Sequence, residues 1–377
     1  MKTIYSERII FEDRVSPGYL QIEDGRIVDI LENFQGAADY DFGESYLMPG
    51  LVNIHSEYIA RETVLHINQL FPFSKIFYDV ESKFMLSGVT TLFHSVELVQ
   101  GRHKRDLTSG PQLLRQIREL SEGNTLIDHR THLEFPLNFM ENMDTIKELI
   151  EADIIDYISY LGYSRSEKER YREIYYQEYV QRVMELDEDT VIKMVERVRE
   201  LRTEANLEEL AYIIKYAQSK GVKVGSTEIS SSQKLDFLQD CGVNIIEFPS
   251  SREAMDYAKK YGKKVLCDSL SLSKKSRDLG SPDLLEAIIA GKVDIISSDT
   301  RSGDLLSALF HIGESIGLAE AVALSSVNPA EAVGLHDRGK IEKGRKADFV
   351  IVKEIYPKNP AVQAMFRDGE LKYWSGI

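Results

Sequence analysis

The chain has 377 residues, too many for one small core and suited to a barrel domain of about 250 residues with a smaller companion. A hydrophobic content of 43% and a charged content of 28% are ordinary for a globular protein. The net charge of −15 argues against nucleic acid or an anionic membrane as a large-area partner, while a small anion in a local basic pocket stays open. Cys241 and Cys267 give no disulfide framework and fit buried packing in a reducing cytosol. Residues 1–8 carry no long apolar run and nothing approaches a membrane span, so a cytoplasmic protein is expected.

Residues 1–45 alternate apolar and polar positions through Gly18-Tyr-Leu-Gln-Ile-Glu-Asp-Gly-Arg-Ile-Val-Asp-Ile30, with a hairpin signal at Asp24-Gly25. Buried strands are predicted at 47–55, 90–95, 126–135 and 154–160. Residues 163–220 then break the rhythm. They contain no Gly and no Pro and show a helical apolar period at Val191, Met194, Val195, Val198 and Leu201. A helical insertion behind a barrel strand lands over the face where strand C-termini feed the loops, as a substrate-touching lid or as a solvated pair on the rim.

From 222 to 299 strand and helix alternate, with strands at 222–227, 243–248, 264–267 and 293–296. The helix at 233–241 closes at Gly242. The next is expected to start at a Ser250 cap with Glu253 as its capping-box partner and to end at Gly262; the third opens at Ser281-Pro282 and closes at Gly291. Doubly buried strands alternating with helices predict a parallel sheet, and eight of them predict a closed (β/α)8 TIM-like barrel over 46–345. A strand at 346–352 and a hairpin signal at Asp368-Gly369 follow, so 1–45 and 346–377 are expected to combine into a small β-sandwich.

His55 and Glu57 stand two residues apart at a strand end, so extended backbone sends both side chains to one face. With Asp299 at the end of the last strand they make a nitrogen-plus-two-oxygen set for Zn²⁺ or Mn²⁺, which Glu134 or Glu228 would complete. Asp299 is also the natural general base, and Arg301 beside it stabilises negative charge. The plainer readings are a helix N-cap before Leu305 for Asp299 and a core histidine for His55. His94, beside Glu97, is expected to turn into the barrel mouth as a replacement ligand or an acid–base group. His129 and His132 are three apart and face opposite ways, which places His132 near the site and His129 in packing. Lys274, Lys275 and Arg277 form a basic loop after the seventh strand, read as an anion site or as a solvent-facing loop; with Arg130, Tyr163 and Arg301 they are the substrate-binding candidates.

Pro49-Gly50 with His55, then Ser298-Asp299, then Gly339-Lys-Ile-Glu-Lys-Gly-Arg-Lys-Ala-Asp-Phe-Val350 occur in an order that resembles the amidohydrolase superfamily. Ser87-Gly-Val-Thr-Thr91, His129-Arg-Thr-His-Leu133, Lys168-Glu-Arg-Tyr-Arg-Glu-Ile-Tyr-Tyr176, Ile246-Glu-Phe-Pro249 and Ile296-Ser-Ser-Asp299 resemble its phosphonate-metabolism branch, the ribose methylphosphonate triphosphate diphosphatases. The resemblance implies a metal-dependent hydrolase of a C–N, ester or phosphoanhydride bond, acting on a phosphorylated or phosphonate-related small molecule. The metal positions depart from it. The first strand has His55-x-Glu57 where the branch has His-x-Asp, and Tyr163 and Thr227 stand where it places histidines. Its bridging carboxylate falls near Pro136, with Glu134 two residues earlier, and its Pro-Arg-Pro segment is missing from 61–73. These departures imply a reduced, mononuclear centre. The alternative is a catalytically inactive paralogue that binds a small anionic ligand or a protein partner without metal. Homo-oligomers are common for the fold, and no interface is legible here.

Overall fold

The chain changes sheets at Pro49-Gly50. In a computed structural model, which describes residues 1–65, 72–98, 110–136, 143–161, 207–227, 232–249, 251–273, 283–299, 301–356 and 359–376, strands fall into two eight-stranded sheets. The amino-terminal strands are β1 (Lys2–Ile10), β2 (Val15–Glu23), β3 (Arg26–Leu31), β4 (Tyr40–Asp41) and β5 (Tyr46–Pro49). The central ones are β6 (Leu51–Asn53), β7 (Val89–Glu97), β8 (Asp128–Pro136), β9 (Tyr157–Leu161), β10 (Lys223–Thr227), β11 (Ile245–Glu247), β12 (Lys264–Asp268) and β13 (Ile295–Ser297). Strands β14 (Phe349–Tyr356), β15 (Asn359–Arg367) and β16 (Glu370–Trp374) end the chain.

The strand expected at 47–55 is therefore two. β5 pairs with β1 and β14 in the terminal sheet, whereas β6 pairs with β7 in the barrel. Gly50 makes the crossing possible, because a Cβ there would lie 2.1 Å from Thr90 Oγ1. The terminal sheet is mixed and runs β16-β15-β14-β5-β1-β2-β3, with β4 beside β1. Its hairpins turn at Asp24-Gly25 and Asp368-Gly369, all four residues at positive φ. The sheet curls until Arg26 bridges Lys346, enclosing Ile4, Leu20, Ile27, Phe349 and Phe366.

Strands β6 to β13 are parallel neighbours in chain order, a (β/α)8 barrel that is nearly closed. Among the described residues no ladder joins β13 to β6. The seam is held instead by the Asn53 amide, which donates to the Ser298 carbonyl and accepts from the Ser298 N–H, both at 3.1 Å. Val52 N–H and Ile296 N–H also donate to the carbonyls of Ser325 and Leu324, each at 2.8 Å. Outward positions such as Leu92, Val96, Leu133, Ile158, Ile246 and Ile296 pack on the helices. Inward positions Val52, Phe93, Tyr157, Ile245, Leu266 and Ile295 plug the barrel. One step further along the strands the inward positions turn polar while staying buried: Ser95, His132, Glu134, Ser159, Thr227 and Glu247. That polar layer positions the site.

Two helix starts differ from expectation. Ser251, whose Oγ accepts from Ala254 N–H at 3.2 Å, caps the helix Arg252–Lys260, while Ser250 lies outside the described residues. Asp283 caps Leu284–Ile289 through Glu286 N–H at 3.1 Å, and Ser281-Pro282 also lies outside them. Of the insertion expected at 163–220, residues 207–219 form the helix that leads into β10, and 162–206 lie outside the described residues. Among the described residues no helix is long and apolar enough to cross a membrane.

Candidate metal centre

Alternation along β7 and β8 sorts their chemistry. Leu92, His94 and Val96 share the outward face, and Ser95 points inward to His132. His94 Nε2 meets His129 Nδ1 at 2.8 Å with the rings stacked, Phe77 covers both, and Glu81 meets His129 Nε2 at 3.3 Å. Burial, then the neighbouring His129, pushes His94 well below the usual histidine range. His94 thus sits in the barrel–helix layer, which corrects its expected turn into the mouth; His129 packs there with it.

On the inward side His55 is ringed by carboxylates. Its Nε2 lies 3.2 Å from Glu134 and 3.8 Å from Asp299, and its Nδ1 lies 3.0 Å from Glu247 Oε2. Ligand atoms of His55, Glu57 and Asp299 all lie within 4.8 Å of one another, as do those of His55, His132, Glu134 and Glu247. Burial opposes a charged ring, yet Glu134, Glu247 and Asp299 outweigh it and lift His55 to about 10. Burial likewise opposes the Glu247 charge, and facing His55 and then His132 bring it down to about 2. Burial raises Glu134 well above the usual carboxylate range, with Glu57, Glu97 and Glu247 adding to it against His55. Burial, then Glu57, raises Asp299 to about 7.

His132 is engaged differently. Its Nδ1 meets Ser95 Oγ at 2.8 Å and its Nε2 meets Ser159 Oγ at 2.7 Å, and burial drives it to about 3, a neutral ring with both nitrogens taken. Thr227 donates to Glu247 Oε2 at 2.9 Å. This leaves His55 Nε2 shared between Glu134 and the pair Glu57 and Asp299. Asp299 Oδ1 is buried without a hydrogen-bond partner. Converging carboxylates and an orphaned carboxylate oxygen around one imidazole nitrogen fit a divalent cation, which would relieve their mutual repulsion.

Asp299 is not a helix cap, because Gly303 precedes the helix Asp304–Ile316. Arg130 lies away from the centre, in ion pairs with Asp128 at 3.2 Å and Asp156 at 3.1 Å that begin at the amino-terminal end of β8. This corrects its place among the substrate-binding candidates. Arg301 is 65% exposed on the rim, 3.7 Å from Asp304. Tyr163, Glu228, Lys274, Lys275 and Arg277 lie outside the described residues. Glu247 is the residue that reasoning from the sequence missed; a lone carboxylate ending the buried run Ile245-Ile246 is its signal.

The profile of the amidohydrolase family matches residues 185–374. The alpha-D-ribose 1-methylphosphonate 5-triphosphate diphosphatase of Escherichia coli (strain K12) is 24% identical over 362 residues, covering 92% of this chain and 94% of that protein. Among solved structures, a prolidase complexed with N-methylphosphonate-L-proline superposes with a TM-score of 0.66 at 15% identity, over 98% of each chain. An L-hydantoinase from Arthrobacter aurescens gives a TM-score of 0.65 at 12% identity, over 98% of this chain and 96% of its own. At these identities the structural likenesses speak for the fold, and they agree with the profile: the chain belongs to the amidohydrolase family.

Proposed function

We propose that this amidohydrolase-family enzyme hydrolyses a small phosphorylated or phosphonate-bearing molecule at a mononuclear divalent-metal centre held by His55, Glu57, Glu134 and Asp299. The observation that carries the reading is His55 Nε2 facing Glu134 and Asp299 while Asp299 Oδ1 is buried without a hydrogen-bond partner. One nitrogen and three carboxylates make an oxygen-rich set, which favours Mn²⁺ over Zn²⁺. The ion, when bound, supplies Lewis acidity and an activated nucleophile at neutral pH. Around it the chain's own groups divide the work. Asp299, just beyond β13, accepts a proton from the attacking water. Arg61, exposed on the helix Tyr58–Leu65 and close enough for its charge to act on Asp299, attracts the anionic substrate together with Arg301. The curated relative, named for a methylphosphonate triphosphate substrate, supports the substrate class.

A second reading, an inactive paralogue that binds the same anions, draws on His132 and Thr227, whose polar atoms are tied to Ser95, Ser159 and Glu247. One assay separates the two. The full chain supplied with Mn²⁺ is expected to release product from a panel of sugar phosphates, nucleoside triphosphates and phosphonate esters, with Asp299→Asn at least a hundredfold slower. No turnover of any member, whether or not Mn²⁺ binds, supports the inactive reading and contradicts ours.

A further inference from the structure

Glu247 is fully buried, and three side chains from different parts of the barrel converge on it. His55 Nδ1, at 3.0 Å, and Thr227 Oγ1, at 2.9 Å, both reach Oε2, and the Tyr157 hydroxyl donates to Oε1. The Tyr157 hydroxyl occupies the space over Gly225, where a Cβ would lie 1.8 Å from it and 3.2 Å from Glu247 Oε1. β9, β10 and β11 therefore cooperate to hold one carboxylate beside one imidazole. From another side, the Phe248 ring meets the His55 ring edge-on at 4.8 Å and 83°. Phe248 does so at a φ of +49°, a left-handed backbone that a bulky residue adopts only when its surroundings enforce it.

We propose that Glu247 is the positioning residue of the centre: by accepting a hydrogen bond from the Nδ1–H of His55 it keeps that proton on Nδ1 and commits Nε2, across the ring, to the metal ion. An imidazole has one proton-bearing and one lone-pair nitrogen when neutral, and the hydrogen bond at one decides which atom is free at the other. Turning the ring over would break the Glu247 bond and aim carbon atoms at Glu134 and Asp299. Glu247 touches no substrate in this arrangement and acts through His55 alone. The proposal rests on the metal-centre reading above, and its test separates the two.

The full chain and the variants Glu247→Leu, Glu247→Gln and Tyr157→Phe are compared in two measurements: Mn²⁺ affinity by titration calorimetry, and ¹⁵N spectra of the histidine rings in metal-free protein. Loss of the carboxylate in Glu247→Leu is expected to weaken Mn²⁺ binding roughly 10–100-fold. Glu247→Gln, which still offers an oxygen to Nδ1, should fall between it and wild type, and Tyr157→Phe should lose only a few-fold. In metal-free wild type the His55 Nδ1 proton should be protected from exchange, and in Glu247→Leu that protection should vanish. If Glu247→Leu does not fold, the Gln and Phe variants carry both measurements. Variants that bind Mn²⁺ as tightly as wild type and keep the protected proton overturn the positioning role. A wild type that binds no Mn²⁺ but shows the Glu247-dependent proton overturns the metal reading and supports the positioning of His55.

Discussion

His94 and Glu97 stand three residues apart in β7, and that odd spacing puts them on opposite faces of the strand. The same parity carries His94 out with Leu92 and Val96 and turns Ser95 inward to His132. Reading the strand for residue type picks out the histidine; reading it for alternation rejects it. His129 and His132 were separable by that rule alone, because their spacing is also odd. Glu134, two residues beyond His132, follows it inward to His55. The consequence is testable one residue at a time. His94→Gln should leave Mn²⁺ affinity within about twofold of wild type, whereas Glu134→Gln, which removes a carboxylate from the centre, should lower it at least tenfold. Titration of both proteins checks this, and a His94 effect as large as the Glu134 effect contradicts the placement.

At the scale of elements, the eight barrel strands and both Asp-Gly hairpins were legible, because doubly buried runs and left-handed turn residues leave strong local patterns. The split of 47–55 into β5 and β6 was not, since an unbroken apolar run does not reveal that it changes sheets. Gly50 marks the change. An alanine there would place its Cβ 2.1 Å from Thr90 Oγ1, so Gly50→Ala should cost on the order of 1–3 kcal/mol through overpacking. Urea unfolding measures it. Adding Thr90→Ala should return much of the loss, and a double variant no more stable than Gly50→Ala would place the strain elsewhere. The seam between β13 and β6 was equally invisible, because it depends on one amide, Asn53, meeting Ser298 across 245 residues.

Across the whole molecule, the barrel and the terminal sheet meet through buried polar contacts as well as the Gly50 crossing. Arg338, on the segment that leads to β14 and 3% exposed, reaches Asp128 at the start of β8 and Thr91 Oγ1 at 3.0 Å. Arg367 of β15 donates to the carbonyls of Thr125 and Ile127 at 2.8 and 2.9 Å. These contacts join the amino-terminal end of the barrel to the sheet and leave the opposite mouth to the acidic cluster. Part of the net charge of −15 is gathered there, in Glu57, Glu97, Glu134, Glu247, Asp268 and Asp299, around His55. From the sequence, His55, Glu57, Glu134 and Asp299 could be nominated one by one. The supporting role of Glu247 could not, because it arises only when β9, β10 and β11 bring Tyr157, Thr227 and the carboxylate together. The central claim is a centre for one ion. Elemental analysis of the full chain and of His55→Ala after saturation with Mn²⁺ and gel filtration tests it most directly: one equivalent in wild type and none in the variant is the predicted result, and two equivalents or none in wild type would contradict it.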